Sequence, residues 1–140
     1  MEAKEILIPT MVLIGWTLCV LLLMPYQRFK AGFAGQVTAA DFKYGESSRV
    51  PPHVCIPNRN FMNLLEVPTL FYVISLLLFI TKFYSAVDLI LAWIFVLMRV
   101  VHSLIHLSYN NVMHRLVAYA FANGVLVLMW MRLFFEIVTN

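Results

Sequence analysis

One apolar run of the chain reads Ala86-Val-Asp-Leu-Ile-Leu-Ala-Trp-Ile-Phe-Val-Leu-Met-Arg99-Val-Val-His102-Ser-Leu-Ile-His106-Leu107. About twenty mostly apolar residues span a bilayer. This run has that length and closes on an arginine and two histidines. Spaced i, i+3 and i+7, Arg99, His102 and His106 share one face of a helix. Polar side chains at membrane depth are costly, so they face a bundle interior or a wet cavity. A second stripe, Arg59, Asn63 and Glu66 at i, i+4 and i+7, opens another apolar run. Two such stripes, each near one end of its helix, predict a polar pocket between transmembrane helices.

Further runs of near-spanning length cover about 6–26, 61–81 and 116–138. With 86–107 they predict an all-α integral membrane protein, a four-transmembrane-helix bundle forming one domain over 1–140. Composition agrees. The chain is 62% hydrophobic and 12% charged, with mean hydropathy +0.85, more apolar surface than a soluble domain of 140 residues buries. The first run lacks a basic leader and a small-residue cleavage site, so it reads as a span and not as a signal peptide. Its Pro9 falls in the first turns, where proline is least disruptive.

Charge placement orients the bundle. Arg28, Lys30, Lys43, Arg49 and Arg59 lie between the first two runs, and Arg99 and Arg115 flank the third connection. The other side carries Lys4, Lys82 and Arg132. The positive-inside rule then puts both termini outside the cytoplasm. No separate basic domain exists, so no nucleic-acid partner is expected. Cys19 and Cys55 give no disulfide framework.

The connections are uneven. The one over about 27–58 is long, rich in glycine and proline, and expected to close over the pocket. The next is short, with Ser85 and Asp88 spaced as a capping box. The last offers Asn110 and Asn111 as candidate N-caps. Pro68, two residues after Glu66, frees the Leu64 carbonyl and permits a kink.

Arg59-Asn-Phe-Met-Asn63-Leu-Leu-Glu66 resembles the R-x-x-x-N-x-x-E signature of the MAPEG family, membrane-associated proteins of eicosanoid and glutathione metabolism. Arg99-Val-Val-His102-Ser resembles its R-x-x-H-[ST], and Arg115-Leu-Val-Ala-Tyr119 resembles the arginine and tyrosine that open its fourth helix. Order and spacing agree over roughly 59–137, whereas the first helix matches only in position and in the basic residues after it.

The resemblance implies a homotrimer of four-helix bundles in membrane lipid, with glutathione as co-substrate bound between subunits near the cytoplasmic helix ends. By motif match, Arg59, Asn63, Glu66, His102, Arg115 and Tyr119 would surround the tripeptide. Arg28 would reach a carboxylate from the neighbouring subunit, and Arg115 would hold the thiolate. Arg99 and His106 complete the expected binding set through the polar stripe, and no metal is expected. The sequence departs from the family at Met62, where several members carry a second arginine. It departs again at His106, where tyrosine is common, and at Pro68, which comes early.

The chemistry fits these residue types independently. Glutathione has two carboxylates, an ammonium and a thiol. Arginines clamp carboxylates through bidentate, charge-assisted bonds, and Glu66 can receive the ammonium. Lowering a thiol pKa by about two units needs roughly 2.7 kcal/mol of preferential thiolate stabilisation. A guanidinium in a partly desolvated site can supply that. The expected activity is conjugation of glutathione to a lipophilic electrophile arriving from the bilayer, or reduction of lipid hydroperoxides, in a bacterial inner membrane.

The same residues also fit other roles. Arg59, Arg99 and Arg115 also serve as topology charges that snorkel to headgroups, and Glu66 as a structural partner for an arginine. His102 also reads as a packing histidine and Tyr119 as part of an aromatic belt. His102 and His106 at i, i+4 are spaced to share a metal with Glu66. The competing function is a non-enzymatic member that binds lipid or another membrane protein in the same groove. Arg115 discriminates, since a pure binder needs no thiolate-stabilising cation.

Overall fold

The structure, a computed structural model, describes residues 3–139, among which there are helices and no β-strand. A 3-10 turn over Ala3–Leu7 leads into α1 (Ile8–Phe33), followed by α2 (Pro52–Leu65), α3 (Val67–Thr81), α4 (Ala86–Leu107) and α5 (Val112–Thr139). Only Glu66 separates α2 from α3, so 52–81 forms one interrupted rod. Four rods are therefore long and apolar enough to cross a membrane.

Helix boundaries differ from the apolar runs for identifiable reasons. α1 passes residue 26 because Gln27, Arg28, Lys30 and Ala31 are good helix formers. It stops where glycine permits a left-handed residue, Gly35 at φ +70°. The Gly35 N–H then donates to the Gly32 carbonyl (3.0 Å) and the Gln36 N–H to the Ala31 carbonyl (2.9 Å), a Schellman motif that satisfies the last carbonyls. α2 begins well before the expected residue 61. Pro52 sits in its first turn, where no N–H is needed, and Val54, Cys55, Pro57, Asn60 and Leu64 are buried. The intervening His53, Asn58 and Arg59 hide this stretch from a hydropathy window. The expected 27–58 connection thus shrinks to 34–51. α5 begins ahead of residue 116 because the Asn111 side chain accepts from the Met113 and His114 N–H groups at 3.0 and 3.1 Å.

The remaining connection is organised by Asp41. Its carboxylate accepts from the Thr38 N–H (2.9 Å), the Ser47 hydroxyl (2.8 Å) and the Thr38 hydroxyl (2.9 Å), with Arg49 at 3.2 Å. The Thr38 backbone bond, then those two hydroxyls and the Arg49 charge, lower its pKa to about 2. A depressed carboxyl contributes order above its unfolded value of about 4, and that order is lost as pH falls through about 2. Amide protection across 34–51, taken relative to the intrinsic exchange rate at each pH, should therefore persist at neutral pH and fall only between those limits. Fast exchange already at neutral pH would show that Asp41 does not hold the loop.

The second rod breaks at Glu66, where ψ is −94°, and restarts with Pro68 in the first turn of α3. The break leaves carbonyls at the end of α2 without their usual helical donors. Side chains take two of them. The Thr69 hydroxyl donates to the Leu65 carbonyl, and the Arg99 guanidinium donates to the Asn63 carbonyl.

α4 lies at the centre, against α1, α2 and α5. Its buried face carries Leu91, Ala92, Phe95 and Val96, then Arg99, His102, Ser103 and His106. Phe95 stacks on Phe71 of α3 at 4.5 Å. At its start, Ser85 and Asp88 form the capping box, and Asp88 also pairs with Arg132 of α5 at 2.8 Å. The polar end of α4 meets the ends of α1 and α2 and the start of α5, while the Asp88–Arg132 pair lies at the other end.

Candidate functional site

The polar end of the bundle opens into a cleft of about 330 Å³ lined by Ile56, Asn58, Arg59, Met62, Asn63, His106, Asn110 and Arg115. α2 supplies one wall, α4 and the start of α5 the other. The lining holds two guanidiniums and no carboxylate, so it favours an anion. Arg115 donates from Nη1 to the Asn110 side-chain oxygen at 2.7 Å, while its buried Nε has no partner. That bond aligns the guanidinium and leaves a donor over. Asn110 holds its position through a left-handed backbone, φ 50°, with its N–H on the Ile105 carbonyl at 2.7 Å.

Behind the cleft lies a second layer. Arg99 is fully buried. One nitrogen bonds the Asn63 carbonyl, while Nε and Nη1 have no partner. Its guanidinium carbon lies 5.4 Å from the Tyr119 ring centre, a cation–π contact. His102 Nδ1 is 3.0 Å from the Arg115 backbone carbonyl. A carbonyl only accepts, so Nδ1 carries the proton and Nε2 offers a lone pair. The Tyr119 ring lies 5.8 Å from that of His102. Arg99 thereby braces the broken end of α2, and His102 braces the start of α5.

Of the residues expected from sequence, Arg59, Asn63, His106 and Arg115 meet at the cleft, with Arg99, His102 and Tyr119 behind them. Arg28 and Glu66 are not brought to it within one chain. Arg28 pairs with Glu46 at 3.2 Å and stacks on Phe42 at 4.6 Å. Glu66 is exposed at the helix break. The Asn63 amide turns to its own helix, donating to the Arg59 carbonyl at 3.0 Å. The His102 and His106 rings are 6.2 Å apart, and among the described residues no group of three or more metal-ligating side chains assembles.

Two members of the buried layer escaped the sequence reading. Asn60, fully buried, donates to the Ser103 hydroxyl at 2.7 Å, and Trp16 of α1 donates to the same oxygen at 2.8 Å. This junction ties α1, α2 and α4 together one residue from His102. Asn60 was detectable as the polar member of the otherwise apolar stripe Val54, Pro57, Leu64.

Residues 6–135 match the model of the MAPEG family. No curated protein and no solved structure matches the chain.

Proposed function

Because the chain belongs to the MAPEG family, whose members serve eicosanoid and glutathione metabolism in membranes, we propose that it is a glutathione-dependent membrane enzyme. The observation that carries this reading is the acid-free cleft in which Arg59 and Arg115 converge. Two guanidiniums suit the two carboxylates of a tripeptide, or one carboxylate and a thiolate. Arg115 stabilises the thiolate. The electrophile is lipophilic and arrives from the bilayer, where it is conjugated, or reduced if it is a hydroperoxide.

Glu66 and Arg28 complete the site from a neighbouring copy in a homotrimer. Glu66 is exposed in the single chain, and Arg28 lies on another face. The protein sits in a bacterial inner membrane with both termini outside the cytoplasm. The side of the bundle that carries Arg28, Lys30, Lys43, Arg49 and Arg59, and the cleft with it, then meets cytosolic glutathione.

The test is addition of glutathione to the purified protein, followed by ultraviolet absorbance of the thiolate, turnover with a panel of electrophiles, and mass in detergent. A thiolate signal, conjugation or peroxide reduction, and a three-copy mass are expected. No thiolate and no turnover would remove the reading. A stable, active monomer would remove the shared site.

A second reading, a non-enzymatic lipid binder, is favoured by one observation. An apolar groove of about 520 Å³ between α3 and α5 is lined by Leu70, Ile74, Leu77, Leu126 and Trp130. Glutathione-independent lipid retention without thiolate formation would select it.

A further inference from the structure

A thiol that ionises must hand its proton to something. Arginine stabilises a thiolate yet stays protonated and cannot take the proton. The other side chains around the cleft are isoleucine, methionine and three asparagines, and none of them is a base. His106 is the exception in that lining. The residue is 2% exposed, and Nδ1 is buried without a hydrogen-bond partner. An imidazole with an unclaimed nitrogen beside Arg115 is a proton acceptor next to a thiolate-stabilising cation.

The groups that face His106 complete the picture. Arg115 faces it from α5 and Arg59 from α2, the Asn110 side chain lies within hydrogen-bonding reach of the ring, and His102 lies one turn back on α4. α1 presents Leu23 and Gln27 beside Leu107, and neither titrates. No carboxylate lines the cleft to hold the imidazole as a permanent cation.

We propose that His106 is the base that receives the thiol proton, an assignment that rests on the glutathione reading above. The S–H bond breaks, its electron pair stays on sulfur beside Arg115, and the proton passes to the imidazole. Sulfur then forms the bond to the electrophile. The displaced group, or the carbanion formed by addition, takes the proton back from the imidazolium. Thiol and electrophile become thioether and protonated leaving group, or a single adduct, and no oxidant is needed. The two roles divide: Arg115 sets how much thiolate exists, and His106 sets how fast it forms.

Rapid mixing of glutathione with the full-length protein in detergent, followed by thiolate absorbance, separates these roles. A positioned general base contributes about a hundredfold or more, so His106→Gln should slow thiolate appearance by about that factor while the final amplitude is retained. Added imidazole should restore part of the rate. His106→Tyr, which keeps a ring and a hydrogen bond, should be as slow. Unchanged rates in both variants would overturn the assignment. So would loss of amplitude without loss of rate, which marks a binding role. If neither variant folds, the wild type decides. An internal base makes its rate independent of buffer concentration, and a rate that climbs with buffer overturns the proposal. Absence of any thiolate in the wild type would instead sink the glutathione reading, and this assignment with it.

Discussion

Arg115→Ala is expected to leave glutathione largely bound and to cut turnover at neutral pH. If the lost interaction is worth about 2.7 kcal/mol, the rate falls roughly a hundredfold. Arg115 is held at the cleft wall by Asn110 and keeps a buried donor unpartnered, so its removal takes away charge without dismantling a helix. The bound thiol's pKa should rise, and raising the pH should recover part of the rate because hydroxide then supplies the thiolate. Glu66→Gln should behave differently, weakening affinity through loss of the ammonium's partner while the thiol pKa stays put. Affinity and rate measured against pH for both variants distinguish the cases. Equal, pH-independent losses of affinity would make Arg115 a carboxylate binder only.

The largest stability effect is expected at the opposite end of the bundle. The Asp88 carboxylate is buried and accepts from the Ser85 N–H (2.8 Å) and hydroxyl (2.6 Å) and from Arg132 Nε (2.8 Å). Removing one partner of a buried pair costs about 3–5 kcal/mol, because a charge is left uncompensated. Arg132 is one-third exposed and the two Ser85 bonds survive, so Arg132→Met should sit near the lower limit, about 3 kcal/mol. Asp88→Asn combined with Arg132→Met should cost less than Arg132→Met alone, since no buried charge remains. Unfolding of the two variants and the wild type in a denaturing-detergent titration gives the comparison. An unshifted midpoint for Arg132→Met would mean that water at the membrane surface already solvates Asp88.

Much of this was legible in the sequence, for physical reasons. Hydropathy reports length and apolarity, so four spans and their order could be read directly. Periodicity reports faces, so Arg99, His102 and His106 could be placed together before any packing was known. The Ser85–Asp88 box and the Asn111 cap are local chemistry and needed no tertiary information. Hydropathy fails where a helix is amphipathic, and it therefore missed the start of α2 and the end of α1. The Asp88–Arg132 pair joins residues 44 apart and left no local trace. Arg132 read only as a topology charge. Pro68 pointed to a kink, but not to its position at Glu66 or to the Asn63 carbonyl that Arg99 would take. Asn60 and Ser103 were visible as letters inside recognised motifs, and only the fold gave them each other.

The junction at Ser103 carries a consequence for biogenesis. Its hydroxyl joins Trp16 to α4 across 87 residues of chain and Asn60 across 43. During synthesis the first two rods enter the membrane before α4 exists, and until then the Trp16 indole and the Asn60 amide lack the oxygen that satisfies them. Unsatisfied polar groups in hydrocarbon hold water or borrow partners. The early helices are thus kept from settling into a final register until the third rod arrives. A nascent chain cut short before Ser103 would present those groups to the cell's quality control as a recognisable mark of incompleteness.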